Sequence, residues 1–174
     1  AVDGVPTVAS TAPAPLPTPT EEVPVSEQPA PQPTAALSAG DLVRGASSSA
    51  VYYYGSDGKR HIFPNETVYF SWYEDFSDVK IVSDNQLAGF ALGNLVRIRP
   101  GTKLVKIVSD PKVYAVEPGG VLRWVTSEDQ ATALFGADWA KRVVDVDVSL
   151  FTAYSYGSDL AANELPLGAV FRYK

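Results

Sequence analysis

An internal repeat constrains this chain more than any other feature. Residues 51 to 66, VYYYGSDGKRHIFPNE, return about 62 positions later as residues 113 to 128, VYAVEPGGVLRWVTSE. Laid over each other without a gap, Val51 meets Val113, Tyr52 meets Tyr114, Gly58 meets Gly120 and Glu66 meets Glu128. Apolar residues pair at Tyr54 with Val116, Ile62 with Trp124 and Phe63 with Val125. In both copies two strand-like runs flank a turn, GSDGK or EPGGV. Asp-Gly and Gly-Gly in that position are the strongest local signal for a hairpin. Modules this small are expected to bury each other's faces, as neighbours in a repeat array do.

A shorter phrase brackets the hairpins. Gly40-Asp41-Leu42-Val43-Arg44 returns as Gly93-Asn94-Leu95-Val96-Arg97 and, loosely, as Gly168-Ala169-Val170-Phe171-Arg172. This predicts that each module closes with the strand that begins the next. Helical signals follow each hairpin: Asn65 caps residues 66–74, and Ser127 caps residues 128–135 with Gly136 as the stop. Short valine-rich strands are expected over 79–82 and 142–146, and short helical turns over 85–92 and 148–153. A further hairpin, 95–98 with 104–108, is expected around Pro100-Gly101. The fold class is therefore α+β and strand-dominated: a tandem of two small β-rich modules, 38–92 and 93–174, with short helices covering one face.

Residues 1–37 differ in kind. They hold nine of the 14 prolines, four acidic residues (Asp3, Glu21, Glu22 and Glu27) and no basic one. Proline fixes φ and donates no ladder hydrogen bond, so the segment favours extended, polyproline-like chain over helix or central strand. Its small and polar side chains bury too little apolar area to offset the entropy of ordering. A stalk is one reading. The other is an arm that extends onto a neighbouring subunit, with Val2, Val5 and Val8, or Leu16, Val23 and Val25, as its contacts.

The aromatic residues all lie at Tyr52 or later, which leaves the front segment outside the core. All 14 Lys and Arg lie beyond residue 37 among 16 acids, a nearly balanced surface that excludes the clustered positive charge nucleic acid requires. With no cysteine there is neither a disulfide framework nor a thiolate metal site. With no methionine anywhere and Ala1-Val2-Asp3 at the start, export followed by removal of a leader is expected. No apolar run approaches the ~20 residues that span a bilayer.

Candidate chemistry is sparse. No serine sits in a nucleophile elbow, and there is no phosphate-cradling glycine loop and no His/Glu metal spacing. His61, the single histidine, matches Arg123 in the second copy, and a long polar side chain on the solvent face suits both. Asp57, Asp75, Asp78, Asp84 and Asp110 are scattered without the alternating pattern of a calcium loop, and turns and caps favour Asp for its local hydrogen bonding. No catalytic, cofactor or metal site is expected. Tyr53, Tyr69 and Trp72 are the aromatic surface candidates, set against a role in filling a small core. Alternation on a strand places Tyr52 and Tyr54 on one face and Tyr53 on the other.

VYYYGSDGKRHIFPNE, followed by Ser71-Trp72-Tyr73 and Asp75-Phe76, resembles a repeat in secreted and surface-layer-like proteins of poorly characterised bacteria. The resemblance covers residues 40–156 and implies an exported cell-surface protein, with no catalytic residues to carry across. The expected function is a structural subunit of an extracellular filament or surface layer, a polymer or homo-oligomer of itself. The alternative is a cell-wall or carbohydrate-binding module on a Pro-rich stalk.

Overall fold

Residues 36–166 and 168 are described in the computed structural model of the chain. The front segment, with Val2, Val5, Val8, Leu16, Val23 and Val25, lies outside them, as does residue 167 and the end of the chain after Gly168. Both modules lie within one compact unit.

The first module runs β1 (Leu42–Gly45), β2 (Val51–Tyr54), β3 (Arg60–Ile62), α1 (Glu66–Trp72), β4 (Val79–Val82) and α2 (Asp84–Ala88). The second repeats that order as β5 (Leu104–Lys106), β6 (Val113–Glu117), β7 (Val121–Val125), α3 (Glu128–Phe135), β8 (Val143–Asp145) and α4 (Val148–Phe151), and adds β9 (Ser155–Tyr156). The described residues thus hold nine strands in two mixed sheets and four short helices, an α+β, strand-dominated fold. The sheet orders are β3-β2-β1-β4 and β8-β5-β6-β7-β9, with β1 parallel to β4 and β5 parallel to β8.

Local chemistry explains most of these elements. The hairpin turns need left-handed backbone, supplied by Gly58 (φ 72) in one copy and by Gly119 and Gly120 (φ 77 and 76) in the other. Asn65 opens α1 by accepting the Val68 N–H at 2.9 Å, and Ser127 opens α3 by accepting the Gln130 N–H at 3.1 Å. Ser83 and Asp147 cap α2 and α4 in the same way.

The bracketing phrase is where the sequence reading fails. Leu95–Ile98 forms no strand, and the hairpin predicted around Pro100-Gly101 is absent. The counterpart of β1 is β5: Leu42 and Val43 match Leu104 and Val105 at the same 62-residue spacing that relates Val51 to Val113. Residues 93–96 instead lie beside β3, where Gly93 N–H donates to the Arg60 carbonyl and Val96 N–H to that of Ile62, each at 2.9 Å. The second module does the same, with Gly157 donating to Leu122 at 2.9 Å and Leu160 to Trp124 at 3.0 Å. Gly93-Asn94 therefore corresponds to Gly157-Ser158, and the first module closes on its own strand.

The two modules share one core but present different faces to it. The largest buried cluster takes Leu42, Val51, Phe63 and Tyr69 from the first module, the face that α1 covers. From the second it takes Val105, Tyr114, Val146 and Phe151, the face that α4 covers. The repeat counterparts of the first set, Leu104, Val113, Val125 and Ala131, form a separate cluster under α3. Those of the second set, Val43, Tyr52, Val82 and Leu87, pack under α2. Ile98, 1 % exposed, inserts from the linker into the shared core.

Candidate functional site

The linker 95–100 runs between the modules, and its backbone is tied to both. Trp72 Nε1–H donates to the Arg97 carbonyl at 2.8 Å, and Ser71 Oγ accepts the Arg99 N–H at 3.0 Å. On the side of the second module, the Tyr154 hydroxyl accepts the Ile98 N–H at 3.0 Å and the Arg97 guanidinium donates to the Ala153 carbonyl. Arg97 also lies over Gly120, where a Cβ would stand 2.3 Å from its Cδ.

Along this seam opens a cleft of about 650 Å³. Tyr53, Phe63, Trp72 and Tyr73 line its first-module side, Leu95–Ile98 and Pro100 its floor, and Pro118–Gly120 its second-module side. The lining is mainly apolar and aromatic, with His61 and Arg97 as its polar groups. Arg99, exposed at the rim, places its guanidinium 5.6 Å from the centre of the Trp72 ring. Burial raises the pKa of the Tyr73 hydroxyl, and Tyr53 beside it adds to that rise, so the phenol stays neutral at physiological pH.

The three aromatic candidates separate here. Tyr53 and Trp72 line the cleft, and Trp72 is 40 % exposed. Tyr69 is no surface residue: at 1 % exposed it fills the core, stacked on Phe76 at 4.4 Å between ring centres, its hydroxyl donating to the Asp75 carbonyl. Helix α1 places Tyr69 on its inner face and Trp72, three positions on, at the edge facing the linker. As the alternation of β2 predicts, Tyr53 faces the shared core while Tyr52 packs under α2.

His61 and Arg123 also depart from the solvent-face reading. The His61 ring is half-buried, with Nδ1 3.0 Å from the Asn94 carbonyl and Nε2 3.1 Å from the Asp57 carboxylate. Both partners are acceptors, and the tautomer decides which ring nitrogen donates. That contact, followed by the Lys59 N–H, holds the Asp57 pKa below its ordinary value. Arg123 is buried and donates to the Ser158 and Asp159 carbonyls and to the carboxylates of Glu117 (3.0 Å) and Glu164 (2.8 Å). Asn94 and Ser158 are repeat counterparts, so the two side chains do one job: each pins the segment that closes its module. Gly93 and Gly157 explain themselves by the same contact, since a Cβ would meet His61 at 2.3 Å in one and Arg123 at 2.9 Å in the other.

Among the described residues no group of three or more His, Cys, Asp or Glu is placed to hold a metal, and no helix is long and apolar enough to cross a membrane. Nothing matched when the chain was compared with protein-family models, curated proteins and solved structures.

Proposed function

We propose that the chain is an exported structural subunit of an extracellular filament or surface layer, contacting its neighbours through the modules and through the Pro-rich arm 1–37. The observation that carries this reading is the join between the modules. One repeat buries its α1 face against the α4 face of the next, a heterologous contact of the kind from which open arrays are built. The polar side chains with the most hydrogen bonds, Arg123 and Gln130, are spent on closing the second module, and His61 on closing the first. Light scattering and negative-stain electron microscopy of the full chain test the reading. Regular particles or filaments that vanish on deletion of residues 1–37 are expected. A monomer near 18.6 kDa would overturn it.

A second reading has its own observation. Tyr53 and Trp72 line a cleft of a size that suits a sugar ring or two, and aromatic faces are natural sugar platforms. On that reading the chain binds a cell-wall glycan as a monomer. Saturable quenching of tryptophan fluorescence by soluble wall fragments, lost in Trp72→Ala, would favour it over assembly.

A further inference from the structure

We infer that the cleft between the modules is the receptor for the Pro-rich arm of a second copy. This rests on the assembly reading above and deepens it by naming the surface the arm meets. Pro13-Ala14-Pro15-Leu16-Pro17-Thr18-Pro19 alternates proline over seven residues. Such a stretch is biased to the polyproline helix, which repeats every three residues. Pro13, Leu16, Pro19 and Glu22 then share one edge: three apolar groups followed by a carboxylate.

The cleft complements that edge in shape and in charge. Extended proline-rich segments dock on aromatic-lined grooves because their backbone is already ordered and proline rings pack flat on aromatic faces. Tyr53, Trp72 and Tyr73 supply the aromatic wall, Pro118 lies on the second-module side, and Pro100 is in the floor. Tyr73, its phenol neutral, brings no charge to that wall. Arg99 beside Trp72 meets the acidic end of the edge, with Arg97 behind it. Of the carboxylates near the wall, Asp57 is engaged by His61, and Asp78 lies close enough to Tyr73 to add to the rise of its pKa. The arm brings four acids and no base. The apolar edge of the arm thus suits the rings and its carboxylate suits Arg99, whereas a neutral glycan would bring Arg99 no ionic counterpart.

Length favours a partner copy as the receptor. Residues 1–35 precede the described part of the chain, and at ~3 Å per residue a polyproline stretch of that length spans on the order of 100 Å. That is several module widths, enough to pass from one body to the next.

The test uses the full chain. Light copies carrying photoreactive benzoylphenylalanine at Ala14 are mixed with nitrogen-15-labelled copies, irradiated and read by mass spectrometry, with light scattering in parallel. Light-to-heavy crosslinks onto peptides containing Tyr53, Trp72, Tyr73 or Pro100 are expected. Arg99→Glu in the heavy chain should lower their yield about tenfold, the scale of one lost charge pair at an interface. Because Arg99 is exposed, this variant tests the contact without disturbing the core; Trp72→Ala is the second variant. Assembly with crosslinks elsewhere overturns the inference and leaves the assembly reading standing. A monomer without light-to-heavy crosslinks overturns both. Cleft crosslinks confined to single chains overturn the second copy as donor.

Discussion

The two modules share a topology and differ in what they place at equivalent positions. Where the first has Tyr53 and Tyr69, the second has Ala115 and Ala131; where the first has Trp72, the second has Leu134. Small residues let α3 settle closely onto its own sheet, and Leu160 and Trp139 complete that cluster from within the module. Large rings at the same positions of the first module build a face that packs against the second module on one side and lines the cleft on the other. One scaffold thus yields a closed face and a joining face by exchange of a few side chains. The second module's α3 face is thus closed from within the module, as a cap is in repeat arrays, whereas the aromatic cleft is open.

If the joining face depends on its rings, Tyr69 should be its most sensitive point. Tyr69→Ala removes a fully buried ring that touches Phe63, Phe70, Tyr73 and Phe76, and should cost about 3–5 kcal/mol, the range for deletion of a large buried aromatic side chain. Denaturant unfolding of the full chain measures it. The counterpart, Ala131→Tyr, should destabilise by overpacking instead, about 1–3 kcal/mol, because its cluster has no ring-sized space. Equal tolerance at the two positions would break the comparison.

The pinning residues come next in size. Arg123→Ala withdraws a buried guanidinium from the buried Glu117 carboxylate and from two carbonyls, a loss on the order of 3 kcal/mol. His61→Ala gives up two bonds in a more open place and should cost about 1 kcal/mol. Hydrogen exchange should locate both losses in the segments that close the modules, at Gly157 and Leu160 in one variant and at Gly93 and Val96 in the other. Uniform loss of protection would show that these side chains do not act locally.

How much of this was legible in the sequence follows from the range of the forces involved. The two repeat hairpins, the caps at Asn65 and Ser127 and the stop at Gly136 are fixed by residues within a few positions of each other, and they stand where the sequence places them. The strand expected over 104–108 stands as β5, but the one expected over 95–98 does not form, although Leu95-Val96-Arg97 reads as apolar and β-prone as Leu104-Val105-Lys106. What separates them is partners far along the chain: Ile98 N–H finds Tyr154, 56 residues away, and Arg99 N–H finds Ser71. The cleft was illegible for the same reason. Tyr53, Trp72 and Pro118 are assembled by the join, and no spacing in the sequence encodes which faces meet.

Equivalent turn glycines sharpen the comparison at smaller scale. Gly58 and Gly120 both hold left-handed backbone, at φ 72 and 76. A Cβ at Gly58 meets nothing within 4 Å, so Gly58→Ala should cost only the backbone term of about 1 kcal/mol. At Gly120 the same methyl meets Arg97, the residue that ties the linker to Ala153. Gly120→Ala should therefore cost about twice as much and alter the cleft, read as a change in Trp72 fluorescence that Gly58→Ala does not produce.

The smallest expected effect is electrostatic, and it falls on both modules alike. Asp41, Asp57 and Asp75 in the first, and Asp138, Asp147 and Glu164 in the second, have pKa values below their ordinary ones. The causes are hydrogen bonds from Lys80, His61 and Ser77, then from Lys141, Ser149 and the Ala161 N–H. A carboxylate that binds its proton less readily in the folded state stabilises that state above its unfolded pKa, near 3.8 for Asp. The contribution disappears as pH falls through the lowered folded value. Five of the six groups are exposed and Asp41 is half-buried, which keeps each share small. Melting temperature should thus hold steady from pH 7 to about 5 and then decline toward pH 3. Asp57→Asn should flatten only the part of that decline that belongs to the first module, and its effect should shrink in His61→Ala, because His61 is the main cause of the Asp57 shift. An Asp57→Asn effect of equal size with and without His61 would show that the ring plays no part in holding that carboxylate, and with it that hairpin turn, in its folded geometry.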